Sequence, residues 1–428
     1  MPSARGGPSR SAFIAFRSPN FKWHWLSTLA SFSGMQMQTI ALGILGWQLS
    51  HSYAVVGILQ AAFAIPMAVL SLPGGALVDR LEKRRVVAVS QAVQGVLGVT
   101  IAVLVQADLI TVLLLFLGGI VQGAMFSVNG PARMALLTEV VESELLPAAI
   151  SMQNIAMNST RVVAPAVAGL FISFVSIPGA YYATAVLYAI TVWAILQVPP
   201  AARSETTRGP LLTEIGAGLR YVAADRLLRS LMLSGLMVAL FIMPYQVMLP
   251  GFAADGLGRE ELFGAMVAVS GLGGLAGSFA VAALAQHPRK PYVQFLLGLS
   301  AGAALIALGT LTRIVGPAGA FASLFVVGAS ATGYMTLNQT MLMTESAQQF
   351  RGRVMSMSML TFSAMPLMSL PLGVLADVVG GGGAFIAQGT IVMVMITLLA
   401  FANRSHTFAR RAPAPTPEPP LAEPRRAG

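Results

Sequence analysis

The chain has 428 residues, 56% hydrophobic and only 10% charged, with 26 Lys and Arg against 16 Asp and Glu for a net charge of +10. Its mean hydropathy of +0.75 lies far outside the range of soluble globular domains and excludes a single packed, water-soluble core. The absence of cysteine excludes disulfides, thiol catalysis and thiolate metal sites. His24, His51, His287 and His406 are too far apart to form a metal centre, so no metal and no cofactor is expected.

About 20 apolar residues cross the hydrocarbon core of a bilayer, and the sequence divides into twelve such runs. They are 23–48, 53–77, 86–106, 109–135, 149–173, 178–198, 228–250, 261–285, 291–312, 317–341, 354–376 and 383–402. The pattern predicts an all-α polytopic membrane protein with twelve transmembrane helices in two pseudo-symmetric six-helix halves. The first run lacks a small-residue cleavage site, so residues 1–22 read as a tail followed by an uncleaved span. The connections are short, as at Gln106 to Leu109, which predicts that consecutive helices are antiparallel neighbours.

With the N-terminus inside, all the Lys and Arg but Arg161, Arg259 and Arg313 fall on the cytoplasmic side. That asymmetry is the positive-inside bias of membrane insertion, and it predicts both termini in the cytoplasm of a cell inner-membrane protein. It also accounts for the basic net charge without nucleic acid as a partner.

Between spans six and seven the composition changes to PPAARSETTRGPLLTEIGAGLRYVAADRLLR. Its first part is a linker; in the second, Leu212, Ile215, Leu219 and Val222 share one face, as in a helix lying at the membrane surface. The expected organisation is an N-terminal half over 23–198, a linker over 199–227, a C-terminal half over 228–402 and a Pro-rich cytoplasmic tail over 403–428. The halves match as repeats at an offset of 206 residues, which superposes Thr138-Glu139 on Thr344-Glu345, Pro165 on Pro371 and Lys83-Arg84 on Arg289-Lys290. Asp79, however, falls on Ala285, so the repeat is functionally asymmetric.

The loop PGGALVDRLEKRR, Pro73 to Arg85, concentrates charge between spans two and three. Gly75 and Asp79 stand one helical turn apart, with Arg80, Lys83, Arg84 and Arg85 following in the connection. Residue by residue the stretch resembles the GxxxDRxGRRR signature of the major facilitator superfamily, with Glu82 in place of the second glycine. The segment NGPARMALLTEVVESELLPAAISMQNIAMNSTRVVAPAVAG resembles the enterobactin exporter-like (transmembrane secretion effector) branch of that superfamily. The resemblance implies a conformational switch formed by Gly75, Asp79, Arg80, Arg84 and Arg133, with Asp79 meeting Arg133 in one access state. From the residues alone, Arg133 reads equally well as an interfacial arginine snorkelling to water.

A charge inside a bilayer is costly, about 2.5 to 3.5 kcal/mol at a helix centre. Arg161, midway along span five, is therefore a functional candidate; its alternative is pairing with polar groups for assembly alone. The stretch after it, with Pro165 and Gly169, resembles the GPxxGG element of exporters, with alanines at two of its glycines. In this fold the first, fourth, seventh and tenth spans line the central cavity. Here they carry Gln36, Gln38, Asn129, Tyr245, Gln246 and Asn338, interleaved with methionines. Amides, a phenol and adaptable thioethers favour bulky, neutral or amphipathic cargo. The fourth span keeps Gln122-Gly123 of the family's RxxQG element but has Gly119 where its arginine stands. No acid occupies a span centre, and Asp79, Glu139, Glu345 and Asp377 remain as edge carboxylates for any proton coupling.

The expected function is secondary active export of an amphipathic small molecule, drug-like or siderophore-like, by alternating access. The expected partners are a small-molecule substrate, the lipid bilayer and protons, acting on a monomer. An importer of a small organic solute is the nearest alternative, and a non-transporting receptor or scramblase is another. A membrane enzyme would need a nucleophile, acid pair or metal cluster that the sequence lacks, and no GxxxxGK loop for ATP is present.

Overall fold

The computed structural model describes residues 13–142, 144–200, 220–283, 290–346, 354, 357–358 and 368–402. In chain order the helices are α1 (Pro19–Ser50), α2 (Tyr53–Arg80), α3 (Lys83–Gln106), α4 (Val112–Val140), α5 (Leu146–Phe174) and α6 (Ile177–Leu196). The second half has α7 (Arg226–Gly256), α8 (Phe263–Ala283), α9 (Lys290–Val315) and α10 (Pro317–Glu345). Ser369–Ala402 holds the last two, α11 and α12, which divide where Gly380 takes φ 78° and ψ 155°. Only glycine adopts that backbone without strain, and it lets the chain turn between two spans with no loop.

Nine helices among the described residues are long and apolar enough to cross a membrane. Gly380 makes two spans of one of these, and α1 and α5 complete the set of twelve. Both are less apolar than the rest because they turn polar groups inward: Ser27, Thr28, Ser31 and Gln38 on α1, Gln153 and Thr160 on α5, all buried.

Local chemistry sets the helix starts. Ser18, Ser52, Thr111 and Ser176 each accept a hydrogen bond from a backbone N–H of the first turn, satisfying donors that a helix leaves open. Asp225 does the same for α7 through Leu227 and Leu228 at 2.8 and 3.0 Å. The charged signature is more helical than its sequence suggests. Helix α2 runs on to Arg80, and Lys83, Arg84 and Arg85 form the first turn of α3, leaving Leu81 and Glu82 as the connection. Basic residues oppose the dipole at a helix start. Here Glu82 offsets Arg85 at 2.5 Å and Glu139 offsets Lys83 at 3.3 Å.

Consecutive helices alternate in direction, but several of the densest packings join helices that are not consecutive. α2 lies on α4, α3 on α6, and α1 on α5 and α6; in the second half α8 lies on α10 and α9 on α12. A short loop fixes only one end of a helix pair, and small residues decide where backbones can close. An added side-chain carbon on Gly119 would stand 3.1 Å from Ala62, and one on Gly123 would strike the Phe63 carbonyl, so α4 approaches α2 through its glycines. In the other half the glycines are divided between the two helices: Gly328 of α10 approaches the Ser270 carbonyl of α8, while Gly273 and Gly277 of α8 approach the carbonyls of Phe325 and Ala329 on α10. Those two positions are the repeat equivalents of Gly119 and Gly123. The tight α4–α2 contact also explains why no arginine stands at position 119.

The halves meet where α5 packs on α8 and α2 on α11. The largest apolar cluster joins both halves at the end that carries the α1–α2 connection, with Trp47 and Tyr53 beside Phe252 and Phe385. Trp47 and Tyr53 pack with ring centres 4.7 Å apart, and Phe252 meets Phe385 edge-on at 5.0 Å. Backbone closes on backbone there. A side-chain carbon on Gly57 would lie 2.5 Å from the Ser369 carbonyl oxygen, and one on Gly169 would lie 2.8 Å from Gly264. At the opposite end the apolar clusters stay within one half. Phe21, Leu137 and Met152 form one and Val78, Leu136 and Ile195 another in the first half; Leu228, Leu337 and Met341 form one in the second. Among the described residues the molecule is thus shut at one mouth and parted at the other. Val222 is buried in the last of these clusters, in the middle of the helical turn 220–224; Leu212, Ile215 and Leu219 lie outside the described residues.

Candidate functional site

Two arrangements stand out, one in each half. In the first, Arg133 of α4 is 3% exposed and snorkels nowhere. Its Nη1 donates to Ser27 Oγ at 3.0 Å and Thr28 Oγ1 at 3.1 Å, and its Nε donates to Asn129 Oδ1 at 3.4 Å. Gln153 of α5 closes the cage by donating to Thr28 at 3.1 Å, and Asn129 in turn donates to Ser90 at 2.7 Å. Arg133 Nη2 and both ring nitrogens of the fully buried His24 have no hydrogen-bond partner among the described residues. A guanidinium held by neutral oxygens is stabilised less than one paired with a carboxylate.

Around this cage the loop-signature residues are spread along one mouth. Arg80 is exposed, and Arg84 Nη2 donates to the Leu196 carbonyl at 3.0 Å, tying α3 to the end of α6. The backbone of Gly75 and Asp79 lies in the last two turns of α2. The side chain of Asp79 lies outside the described residues, as does that of Arg161, whose backbone stands one turn before Pro165 in α5.

The second arrangement is a cavity of about 280 Å³ between α7, α8 and α10, which α5 reaches, among the described residues, with Pro165. Its polar lining is Tyr245, Gln246, Ser270, Ser278, Thr332, Thr336 and Gln339; its apolar lining includes Met243, Leu249, Val267 and Met335. Tyr245 is 2% exposed and hydrogen-bonds Ser270 in a short contact, while Gln246, exposed to the cavity, donates from Nε2 to the Tyr245 hydroxyl at 3.4 Å. No charged side chain lines the cavity among the described residues.

The structure therefore brings Tyr245, Gln246 and Pro165 together and sets the other named amides elsewhere. Gln38 accepts from Tyr188 of α6 at 3.0 Å. Asn129 belongs to the arginine cage. Asn338 accepts from Gln294 at 2.8 Å and Ser234 at 3.4 Å, joining α10 to α9 and α7. Gln36 is half-buried on α1, and Gly169 packs on Gly264 at the shut mouth. Sequence reasoning missed Ser27, Thr28 and Gln153 around Arg133, and Ser270, Ser278, Thr332 and Thr336 in the cavity. The signal was present: hydroxyls in an apolar span must be satisfied by something, and the four-residue step of Thr332 and Thr336 places them on one face of α10.

Twelve spans, two like halves and a cavity between helices define a multi-pass transporter of the major facilitator fold. Residues 10–426 match the transmembrane secretion effector family, and the chain belongs to it. It is 29% identical over 381 residues to the multidrug efflux pump Tap of Mycobacterium tuberculosis, covering 84% of this chain and 88% of that one. It is 20% identical to the staphyloferrin A transporter of Staphylococcus aureus, covering 90% and 96%, and 23% identical to the enterobactin exporter EntS of Escherichia coli, covering 78% and 80%. Among solved structures, a bacterial homologue of the human lysosomal transporter Spinster, inward-facing and unoccupied, superposes with a TM-score of 0.69 at 15% identity, covering 93% of this chain and 99% of that one. The nucleoside transporter NupG superposes with a TM-score of 0.68 at 15% identity, covering 90% and 99%. The protein is a membrane transporter of small molecules, not an enzyme.

Proposed function

We propose that the protein exports uncharged or amphipathic small molecules from the cytoplasm by alternating access, driven by protons and acting as a monomer in the inner membrane. The observation that carries this reading is the uncharged, thioether- and hydroxyl-lined cavity of the second half. A charged cargo would lose its hydration there without a counter-charge among the described residues, whereas an amphipathic one finds apolar walls and a few hydrogen-bonding groups. The efflux pump and siderophore exporter among the relatives support the outward direction. Inside-out vesicles test it: with an imposed pH gradient they should accumulate the uncharged dye Nile red, and collapse of the gradient should abolish the uptake. Uptake of ethidium cation in preference to Nile red would sink the cargo assignment.

Individual side chains should then tune affinity. Tyr245→Phe and Gln246→Leu each remove one hydrogen-bonding group from the cavity, worth about 1 kcal/mol or roughly fivefold in apparent KM. Insertion and folding should be intact, and cargo of lower polarity should be less affected. Unchanged KM in both variants across a dye series would remove these residues from the site.

We assign both termini to the cytoplasm, so the conformation is open inward and shut outward. Introduced singly into this cysteine-free chain, a cysteine at Ala254 should react with an impermeant thiol reagent added outside, and one at Ser204, in the linker beyond the described residues, should not. The reverse pattern would invert the topology. Gly75, Asp79, Arg80, Arg84 and Arg133 are assigned to the inner-mouth switch, in which Arg133 leaves its cage for Asp79 when the inner mouth closes. Arg161, with Pro165 and Gly169, is assigned to the contact between the halves.

A further inference from the structure

The shut mouth contains a contact between the halves that is not apolar. Asp377, at the end of α11, reaches across to the start of α2. Its Oδ1 accepts the Tyr53 N–H at 2.7 Å, and its Oδ2 accepts the Ala54 N–H at 3.1 Å and the Ser52 hydroxyl at 2.7 Å. Those N–H groups belong to the first turn of a helix, where no backbone acceptor exists and the helix dipole favours an anion. Ser52 already caps α2 by accepting from Val55 at 3.3 Å, so its hydroxyl proton is free for the carboxylate. The carboxylate thus completes the cap of a helix in the opposite half.

From this geometry we infer that Asp377 is a positioning residue of the transport cycle, an outer latch that holds the cavity shut to the outside by capping α2 across the two halves. The inference rests on the alternating-access reading. When the outer mouth opens, α2 and α11 separate and the helix start is left to water, so the contact exists in one state and shifts the equilibrium by its differential free energy. The pivot is at the surface, since Asp377 is exposed, and it faces the outer medium.

The groups around the latch are few. Ser52, Tyr53 and Ala54 face it from α2, and Asp255 at the end of α7 acts on it through space. Asp255 in turn lies within the fields of Glu260, which precedes α8, and His51, between α1 and α2. Arg313 of α9 lies beside Gly382, just past the Gly380 turn.

Spin labels at Leu109→Cys and Val315→Cys test the latch. The two residues are exposed, lie at the outer ends of opposite halves and are repeat equivalents. Pulsed dipolar distances between them report the outer mouth without any cargo. In the otherwise unsubstituted protein at neutral pH the short distance should dominate. Asp377→Asn and Asp377→Ala should each raise the ratio of long to short populations about tenfold, the change a differential of about 1.4 kcal/mol produces. Ser52→Ala should shift it in the same direction by less, and Asp377→Glu should restore it in part.

Unchanged populations in Asp377→Ala and Ser52→Ala overturn the inference. If the Asp377 variants fail to fold, Ser52→Ala decides alone. Gly373→Val, whose bulk opposes closure of the same mouth, separates the two levels. If it opens the mouth and Asp377→Asn does not, the latch falls and alternating access stands; if neither moves it, both fall.

Discussion

Gly373→Val is expected to hold the transporter open to the outside and to abolish uphill transport. Gly373 of α11 lies directly on the start of α2, and a side-chain carbon there would stand 2.7 Å from the Tyr53 carbonyl carbon and 2.9 Å from the Ala54 Cα. Favourable carbon contacts lie near 3.5 to 4.0 Å, and the obstacles are backbone atoms that cannot rotate away. Overpacking of this kind costs about 2 kcal/mol, roughly thirtyfold in the balance of states, and it acts only on the state in which the outer mouth is shut. A cysteine at Val267, which lines the cavity, should become reactive to an impermeant reagent from outside. Gly130→Ala is the control, since an added carbon there meets nothing within 4 Å. Transport by Gly373→Val at the normal rate, with Val267→Cys still protected, would show that the close approach is not the gate.

Arg133→Met should separate stability from turnover. The guanidinium is buried among Ser27, Thr28 and Asn129, with a nitrogen that has no partner among the described residues. Exchange of such a buried ion for an apolar side chain of similar volume is often neutral or stabilising, so unfolding in detergent should move by no more than about 1 kcal/mol. Transport should fall by about a hundredfold, because the charge that must leave the cage for the inner-mouth carboxylate is gone. Arg133→Lys should fail as well, since a compact ammonium cannot reproduce three divergent N–H contacts. Normal transport by Arg133→Met would reduce the cage to packing. A large loss of stability with proportionate loss of transport would assign Arg133 to assembly.

Much of the architecture was written in the hydropathy. The twelve spans follow from the length of apolar runs, which the bilayer thickness dictates. The amides were harder. An amide in a span must find a partner, but lipid exclusion does not distinguish a neighbouring helix from a wet cavity. Gln38, Asn129 and Asn338 are engaged by Tyr188, Ser90 and Gln294, whereas Gln246 is turned to the cavity. Only the rotation of each helix separates these cases, and that rotation is set by glycine contacts between segments distant in sequence. The Gly380 turn was hidden for a related reason: four consecutive glycines from Gly380 to Gly383 read as a loop, yet helix resumes within them. Asp377 showed itself only as a carboxylate near a span end, because its partners are more than 300 residues earlier in the chain.

The exchange of glycines between the halves limits what can be copied from one to the other. Helix α4 carries its own clearance at Gly119 and Gly123, whereas at the equivalent positions of α10 the clearance is supplied by Gly273 and Gly277 of α8, and α10's own glycine, Gly328, stands elsewhere, against Ser270. Equivalent positions therefore have opposite tolerances: bulk is barred at 119 and 123 but already present as Phe325 and Ala329. A substitution that stabilises one half has no mirror image in the other. A chimera built by duplicating either half would inherit matched surfaces within each copy, while the surfaces presented between the copies would be those of only one parent.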